Sequence, residues 1–146
     1  MHQTTKINFS KFNETYLKYF KNPKVLELGS EDTNGSLKNL ITSDVSYIGT
    51  DLSSGNNVDV VLKDPYKFSF DDNSFDIVIA SSTFEHIDFF WLTFLEILRV
   101  LKPRGLFYLN APSNGPFHRH PTDNWRFYPD SGKVLKKWAN KNNYNT

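Results

Sequence analysis

The 146-residue chain has no cysteine, no long apolar run and no marked excess of charge of either sign. The absence of thiols excludes disulfides and thiolate metal sites, so a metal would need histidine and carboxylate ligands. Because the sequence contains no stretch of about 18 apolar residues, no transmembrane helix is predicted. Residues 1–20 are too polar for the apolar core of a signal peptide. We therefore expect a cytoplasmic protein without a membrane partner.

The charge balance of 17 basic against 16 acidic residues leaves a net charge of +1, and no segment concentrates the basic residues. Binding along a nucleic-acid backbone needs such a concentration, so no nucleic-acid partner is predicted. The length, with 38% hydrophobic and 16% aromatic residues, suits one domain with one core. Because the sequence has no repeat and no linker-like segment, we expect a single domain over residues 1–146.

Apolar runs alternate with helix-like segments along the chain. Short β-branched or continuously apolar runs predict five strands, at residues 25–28, 45–49, 58–62, 75–80 and 106–109. Helical spacing of apolar residues predicts helices at residues 9–20, 36–41, 88–101 and 131–140. Ser10 or Asn8 would cap the first helix, and Pro103 with Gly105 would stop the third. The alternation indicates an α/β fold, a Rossmann-like, open and mainly parallel sheet with helices on both faces.

The most informative stretch is residues 24–36, KVLELGSEDTNGS, which is followed by the run YIGTD that ends at Asp51. An apolar run, a glycine turn at Gly29, a helix start and a second apolar run closed by a carboxylate form one βαβ unit. Such a unit is suited to an adenosine-type ligand. The Asp51 carboxylate could accept hydrogen bonds from both ribose hydroxyls, and a turn-capping role is its alternative.

The loop after the first strand carries further polar groups. Its amides, between Ser30 and Gly35, would face an anionic ligand group at the N-terminus of the following helix. Alternatively, Asn34 and Gly35 form only a surface turn. Glu27 is an acid inside an otherwise apolar strand, which packing alone does not explain.

Four segments, VLELGS, YIGTDLS, FSFDDNSFDIVIASSTFEHI and LRVLKPRGLFYLNAPS, resemble in this order the class I S-adenosylmethionine-dependent methyltransferases, over residues 25–128. One subgroup shares the loop GSxDxNGS and the segment NAPSNGPFHRHPTDNWRFYP, and is associated with glycan or cell-surface polysaccharide genes. The resemblance implies S-adenosylmethionine as cofactor and methyl transfer to a small-molecule or glycan-type acceptor. The chain departs from the family's GxGxG loop, because Glu31 and Thr33 occupy the second and third glycine positions.

The resemblance also implies roles in cofactor binding. The methionine carboxylate would lie at the loop amides, and Glu27 would lie near the methionine amino group. Leu52 would flank the adenine, and Asp64 would receive the adenine amino group. Since Asp64 precedes a proline, a turn-forming role is the alternative for it. The implied cofactor-binding residues are Glu27, Gly29, Ser30, Asn34, Gly35, Asp51, Leu52 and Asp64.

The segment SSTFEH follows the fourth predicted strand and should emerge at the ligand end of the sheet. The family often has an acid–histidine pair here, which corresponds to Glu85 and His86. If the acceptor must lose a proton, the candidate bases are His86, His118 and His120, because imidazole titrates near neutral pH. Alternatively, His86 bonds to loop backbone and Glu85 is structural.

The late segment at residues 110–128 is rich in polar and aromatic side chains and should overhang the site. We predict that it contacts the acceptor through Asp123, Trp125, Arg126 and Tyr128. In the alternative interpretation, its aromatic residues pack the loop onto the sheet and Arg126 pairs with an aspartate. His118, His120 and Asp123 form the pattern HxH-x2-D, but no second cluster completes it, so no metal is predicted.

The family's sheet usually has seven strands, but no sequence after the fifth predicted strand suits a sixth or a seventh. The chain is therefore either truncated at its C-terminus or a minimal version whose fifth strand lies at an open edge. An open edge favours pairing with a second copy, so a homodimer is predicted. Two rival functions stay open: a noncatalytic S-adenosylmethionine-binding or assembly subunit, and a nucleotide-cofactor oxidoreductase, which would normally need GxGxxG.

Overall fold

The computed structural model describes residues 3–33 and 35–144. Five strands form one sheet in the order β3-β2-β1-β4-β5, and every neighbouring pair is parallel. The strands are β1 (Lys24–Leu28), β2 (Ser46–Asp51), β3 (Val60–Val61), β4 (Phe75–Ser81) and β5 (Leu101–Asn110). The chain runs outward from β1 in one direction and from β4 in the other. This order confirms the predicted sheet and places a crevice at the carboxyl ends of β1 and β4.

Helices cover both faces of the sheet, as predicted. The helix α1 (Gln3–Tyr16) packs Phe9 and Phe12 on one face, and α2 (Phe90–Val100) and α3 (Ser131–Lys141) contribute to the core on the other. The central strands β1 and β4 are buried on both sides, which explains their nearly continuous apolar sequences. None of the described helices is long and apolar enough to span a membrane.

Two predictions about the helices were wrong. The helix α1 spans Gln3–Tyr16, so Asn8 and Ser10 lie inside it and neither is a cap. Its buried face includes Thr5 in the first turns, before Phe9 and Phe12. The helix predicted over residues 36–41 is a single 3₁₀ turn, Leu37–Leu40. Its apolar residues span only about one turn before polar residues follow, which is too short to sustain an α-helix.

Strand boundaries also differ from the prediction at both edges of the sheet. The edge strand β3 has only two residues, because the side-chain carboxylate of Asp59 accepts the Gly49 amide at 2.8 Å, in place of a backbone carbonyl. At the other edge, β5 begins at Leu101, immediately after α2. Its first residues, including Pro103, bulge out of register before regular pairing resumes at Leu106. Proline lacks the donor for a regular ladder, which is why the sequence predicted the later start.

Candidate functional site

A cleft of about 1160 Å³ opens at the carboxyl ends of the central strands. The turn after β1, the end of β2 and the segment after β4 form its floor, and residues 118–122 of the late segment line it as well. Of the predicted site residues, the cleft is lined by Glu27, Gly29, Ser30, Gly35, Asp51, Leu52, His86, His118 and His120. The structure therefore brings nine residues from distant parts of the sequence to one cavity.

The turn at Gly29 fixes the floor of the cleft. Gly29 has a φ of +68°, and a Cβ atom there would lie only 2.4 Å from Thr83 Oγ1, so only glycine fits. Thr83 in turn donates a hydrogen bond of 3.0 Å to the Leu28 carbonyl, which ties the end of β1 to the segment after β4. Ser30 is buried, and its hydroxyl donates to the Asn57 carbonyl at 2.9 Å. Sequence reasoning missed Thr83, because its role arises only from contacts between strand ends.

The loop after this turn corrects one prediction. Its described amides donate to protein acceptors: Ser30 to the Thr50 carbonyl, Asp32 to the Asn56 carbonyl and Gly35 to the Asp32 side chain. The amide of Glu31 lies 3.4 Å from Asp51 Oδ2, and that of Thr33 bonds to the Glu31 carbonyl. Because only a 3₁₀ turn follows, an anion site at a helix N-terminus is not formed here. Asn34, also predicted to bind the cofactor, lies outside the described residues.

Glu27 is the most unusual group on the floor. Its side chain is 5% exposed, and its Oε2 atom finds no hydrogen-bond partner among the described residues. Burial, with a smaller contribution from the negative charge of Asp32, raises the pKa of Glu27 to about 8, although Lys38 acts in the opposite direction. An unpartnered buried carboxyl group next to a cleft is suited to a cationic ligand group.

Asp51 ends β2 at the rim of the cleft, where sequence reasoning placed it. One carboxylate oxygen accepts the Leu52 amide at 2.7 Å and the other lies 3.4 Å from the Glu31 amide, which leaves further lone pairs facing outward. Leu52 is 57% exposed and lines the same rim. Asp64 differs, because it does not line the cleft and its carboxylate accepts the Tyr66 amide at 2.7 Å. This contact agrees with the turn-forming alternative for Asp64.

Three histidines gather in the same cleft. The ring centroids of His86 and His118 are 5.2 Å apart, and those of His86 and His120 are 6.3 Å apart. The Nδ1 atom of His86 contacts the Thr122 carbonyl oxygen, and the Thr122 hydroxyl donates back to the His86 carbonyl at 2.9 Å. The backbone contact foreseen as an alternative for His86 thus exists, but His86 lines the cleft as well.

Glu85 lies beneath these histidines. It is 1% exposed, and its carbonyl oxygen accepts the amides of Asn124 and Trp125 at 2.8 and 3.2 Å. Burial raises the pKa of its carboxyl group, which His86 and the neighbouring cations oppose. Its Oε1 atom is 3.8 Å from His86 Nε2, whereas Oε2 has no partner among the described residues.

The four residues predicted to contact an acceptor do not line the cleft. Arg126 instead holds Asp123 through two hydrogen bonds of 2.5 and 2.7 Å, and Asp123 also accepts the His118 amide. The Arg126 guanidinium keeps the pKa of Asp123 well below its ordinary value. The Trp125 indole donates to the Ile87 carbonyl at 2.9 Å, and Tyr128 is exposed beside a smaller pocket. The packing alternative describes these residues better.

Some residues that line the cleft were not among the predicted site residues. Thr5, on the first helix α1, lines the cleft. The side-chain amide of Asn110 donates to the Thr5 hydroxyl at 3.4 Å and to the Ser81 hydroxyl at 3.1 Å. Tyr66 and Arg119 also line the cavity. In the sequence, the only indication that Thr5 contributes to the site is that it is a polar residue on an otherwise apolar helix face.

Together, the parallel sheet, the cleft at its switch point and an acid at the end of β2 define a Rossmann-like nucleotide-cofactor domain. A family model described as a methyltransferase domain matches residues 29–109, more than half of the chain. The chain therefore belongs to the methyltransferase domain family, and this membership implies S-adenosylmethionine as the cofactor. No protein of curated function matches the sequence.

Solved structures support the same fold. A SAM-dependent methyltransferase from Archaeoglobus fulgidus is 19% identical with a TM-score of 0.68, and the match covers 91% of this chain and 67% of that one. The PH0226 protein from Pyrococcus horikoshii OT3 is 28% identical with a TM-score of 0.54, covering 73% and 57%. The [4+2]-cyclase SpnF is 15% identical with a TM-score of 0.64, covering 90% and 56%. The chain spans only 44–57% of several structures that it matches.

Proposed function

We propose that this domain transfers the methyl group of S-adenosylmethionine to a hydroxyl group of a small-molecule or glycan-type acceptor. The observation that carries the proposal is that two kinds of group line one cleft: the carboxyl groups of Glu27 and Asp51, on β1 and β2, and three histidines from the segments that follow β4 and β5. The volume of about 1160 Å³ exceeds that of most single-ligand pockets, so cofactor and acceptor can fit together.

The two carboxyl groups fit the cofactor in two respects. The Oε2 atom of Glu27, which has no hydrogen-bond partner in the described part of the chain, suits the cofactor's ammonium group as a donor. The free lone pairs of Asp51 suit the two ribose hydroxyls, and Leu52 offers an apolar surface for the adenine. Glu27 and Asp51 lie on the neighbouring strands β1 and β2, so one extended ligand could contact both.

S-adenosylmethionine supplies a methyl group on a positively charged sulfonium. The residues of this chain would hold the acceptor in line behind that methyl group and exclude water, and such positioning accounts for much of the acceleration. A base is required only for an acceptor that must lose a proton. His86, His118 and His120 face the cleft and are the candidates for this role.

Calorimetric titration with S-adenosylmethionine and S-adenosylhomocysteine tests the proposal directly. We expect both to bind with micromolar dissociation constants, since they share the ammonium, carboxylate and ribose groups. NADH serves as the matched control and should not bind. Failure of both adenosyl ligands to bind a folded protein would overturn the proposal, whereas NADH binding would favour the oxidoreductase alternative. Transfer is then measured by screening hydroxylated acceptors, and cofactor binding without transfer to any of them would favour the noncatalytic alternative.

We also propose that the domain forms a homodimer through the edge of its sheet. In the described part of the chain, β5 is the last strand on its side and no strand covers its outer edge. Unpaired backbone groups on such an edge favour pairing with a second strand. We expect light scattering at micromolar concentration to give twice the monomer mass of 17.0 kDa. A monomer mass under these conditions would contradict the proposal.

A further inference from the structure

We propose that Glu85, His86 and His118 bind a divalent transition-metal ion, with Zn²⁺ the best match to their ligand chemistry. One ligand atom from each of the three residues lies within 4.8 Å of the other two. Two imidazoles and one carboxylate form a ligand set found in catalytic zinc sites, where a fourth position stays open. Because both histidines line the cleft, the open position faces the space that we assign to the acceptor.

All three ligand atoms lie within 4.8 Å of one another, and one pair is close to the separation found in a metal centre. Glu85 Oε1 and His86 Nε2 are 3.8 Å apart. Two ligands at about 2.1 Å from a tetrahedral zinc ion lie about 3.4 Å from each other. The pair therefore needs to move together by only a few tenths of an ångström to bind the same ion.

The state of Glu85 is an independent observation that points to a ligand. Its side chain is 1% exposed, and Oε2 lacks a hydrogen-bond partner within the described ranges. A carboxylate buried in this way is unfavourable unless a cation or donors compensate it. Arg126, the nearby guanidinium, is already paired with Asp123 through two hydrogen bonds. A metal ion beside Glu85 would supply the missing positive charge.

Hydrogen bonds also prepare the two imidazoles as ligands. The contact of His86 Nδ1 with the Thr122 carbonyl places the proton on Nδ1 and leaves the lone pair on Nε2. His118 Nδ1 lies 3.4 Å from the Pro116 carbonyl and 3.5 Å from an Asp123 carboxylate oxygen, two acceptors that favour the same tautomer. Such outer contacts are typical of metal-binding histidines, because they fix the ring and its tautomer.

The role of the site rests on the proposed function. At the open position, a metal ion would lower the pKa of an acceptor hydroxyl. The acceptor would lose its proton to water and gain the methyl group, so an O–H and an S–C bond break and an O–C bond forms. The products are the O-methylated acceptor, S-adenosylhomocysteine and one proton. His120 is not part of the ligand trio.

Cobalt binding tests the site without requiring activity. The full chain, freed of metal by chelation, is titrated with Co²⁺ and followed by its visible absorption, and Zn²⁺ is then added as a competitor. We expect one equivalent of Co²⁺ to give a tetrahedral-type spectrum that Zn²⁺ abolishes. Glu85→Gln and His118→Ala should each weaken Co²⁺ binding by at least about 100-fold, because each removes one of three ligands. His120→Ala is the matched control and should keep the spectrum.

Two results would overturn the proposal: no stoichiometric Co²⁺ spectrum from a protein that unfolds cooperatively, or equal binding by wild type and His118→Ala. The thermal midpoint of each variant separates loss of ligands from loss of fold. Binding of S-adenosylmethionine is measured on the same metal-free sample. If the cofactor binds and Co²⁺ does not, the metal site alone is wrong. If Co²⁺ binds and the cofactor does not, the proposed function alone is wrong.

Discussion

Asp51→Ala is expected to weaken S-adenosylmethionine binding by about 100-fold or more, to the detection limit of calorimetry. A hydrogen bond to a charged group contributes about 1.5–3 kcal/mol, and the carboxylate would accept two of them from the ribose. Since about 1.4 kcal/mol corresponds to tenfold in affinity, the loss of both reaches this size. Asp51→Asn, which keeps the shape but not the charge, should lose less.

The fold should survive this change. Within residues 3–33 and 35–144, the Asp51 carboxylate accepts hydrogen bonds from the amides of Leu52 and Glu31, both at the rim of the cleft, while the backbone pairing of β1 with β2 holds the strand in place. An unchanged thermal midpoint would show that any loss of affinity is local.

Asp64→Ala is the matched control, because it removes the same group from a turn outside the cleft. Its affinity should equal that of the wild type. If Asp51→Ala bound the cofactor with wild-type affinity, Asp51 would not be the residue that binds the ribose hydroxyls. A loss in Asp64→Ala as large as that in Asp51→Ala would instead restore the adenine role that the family resemblance implies for Asp64.

The position of the predicted residues on β1 and β2 at the cleft could be anticipated from the sequence, because these residues follow directly from the strands that carry them. Glu27, Gly29 and Asp51 lie within or just after β1 and β2, whose apolar runs are unmistakable in the sequence. The end of a parallel strand fixes the position of the residue that follows it. The parallel sheet and its two-sided helical cover were confirmed for the same reason.

The part of the cleft lined by the late segment could not be predicted in the same way, because it depends on where a long loop folds back. Residues 118–122 form the cleft wall, while the bonds of Trp125 and Arg126 anchor the next stretch away from it. The sequence marks all of these residues as polar or aromatic but not which of them face the cavity. Likewise, nothing in the pattern HxH-x2-D shows that Glu85 and His86 lie beside His118.

Glu27→Gln is expected to stabilise the cofactor-free protein increasingly as the pH rises. The pKa of Glu27 is raised to about 8, from an unfolded value of 4.5. Between these two values the folded state binds more protons than the unfolded state, so wild-type stability falls as the pH rises through this window. The neutral glutamine lacks this dependence. The difference in the free energy of unfolding should reach about 3–5 kcal/mol above pH 8 and vanish below pH 4.5.

Urea unfolding of both proteins from pH 4 to pH 9 measures this difference. Glu96→Gln is the control of opposite sign. Although burial raises the pKa of Glu96, hydrogen bonds from Arg99 and the Phe68 amide lower it below the ordinary value. Its ionised form therefore stabilises the fold, and Glu96→Gln should be destabilising near neutral pH, by an amount that shrinks on acidification. If Glu27→Gln were destabilising at pH 8, its carboxylate would be satisfied without cofactor and our interpretation would be wrong.

Glu27→Gln should also weaken the binding of the cofactor, although it stabilises the cofactor-free protein. These two opposite effects together distinguish a group that binds the cofactor from one that only supports the fold. An ammonium beside Glu27 favours the ionised carboxylate, so binding below pH 8 should release a proton from the wild type but not from Glu27→Gln. Calorimetry in buffers of different ionisation enthalpy measures that proton. If Glu27 lowers the stability of the free protein and raises its affinity for the cofactor, its role is to bind the cofactor at a cost in stability. If both proteins released the same number of protons on binding, the released proton would come from a group other than Glu27.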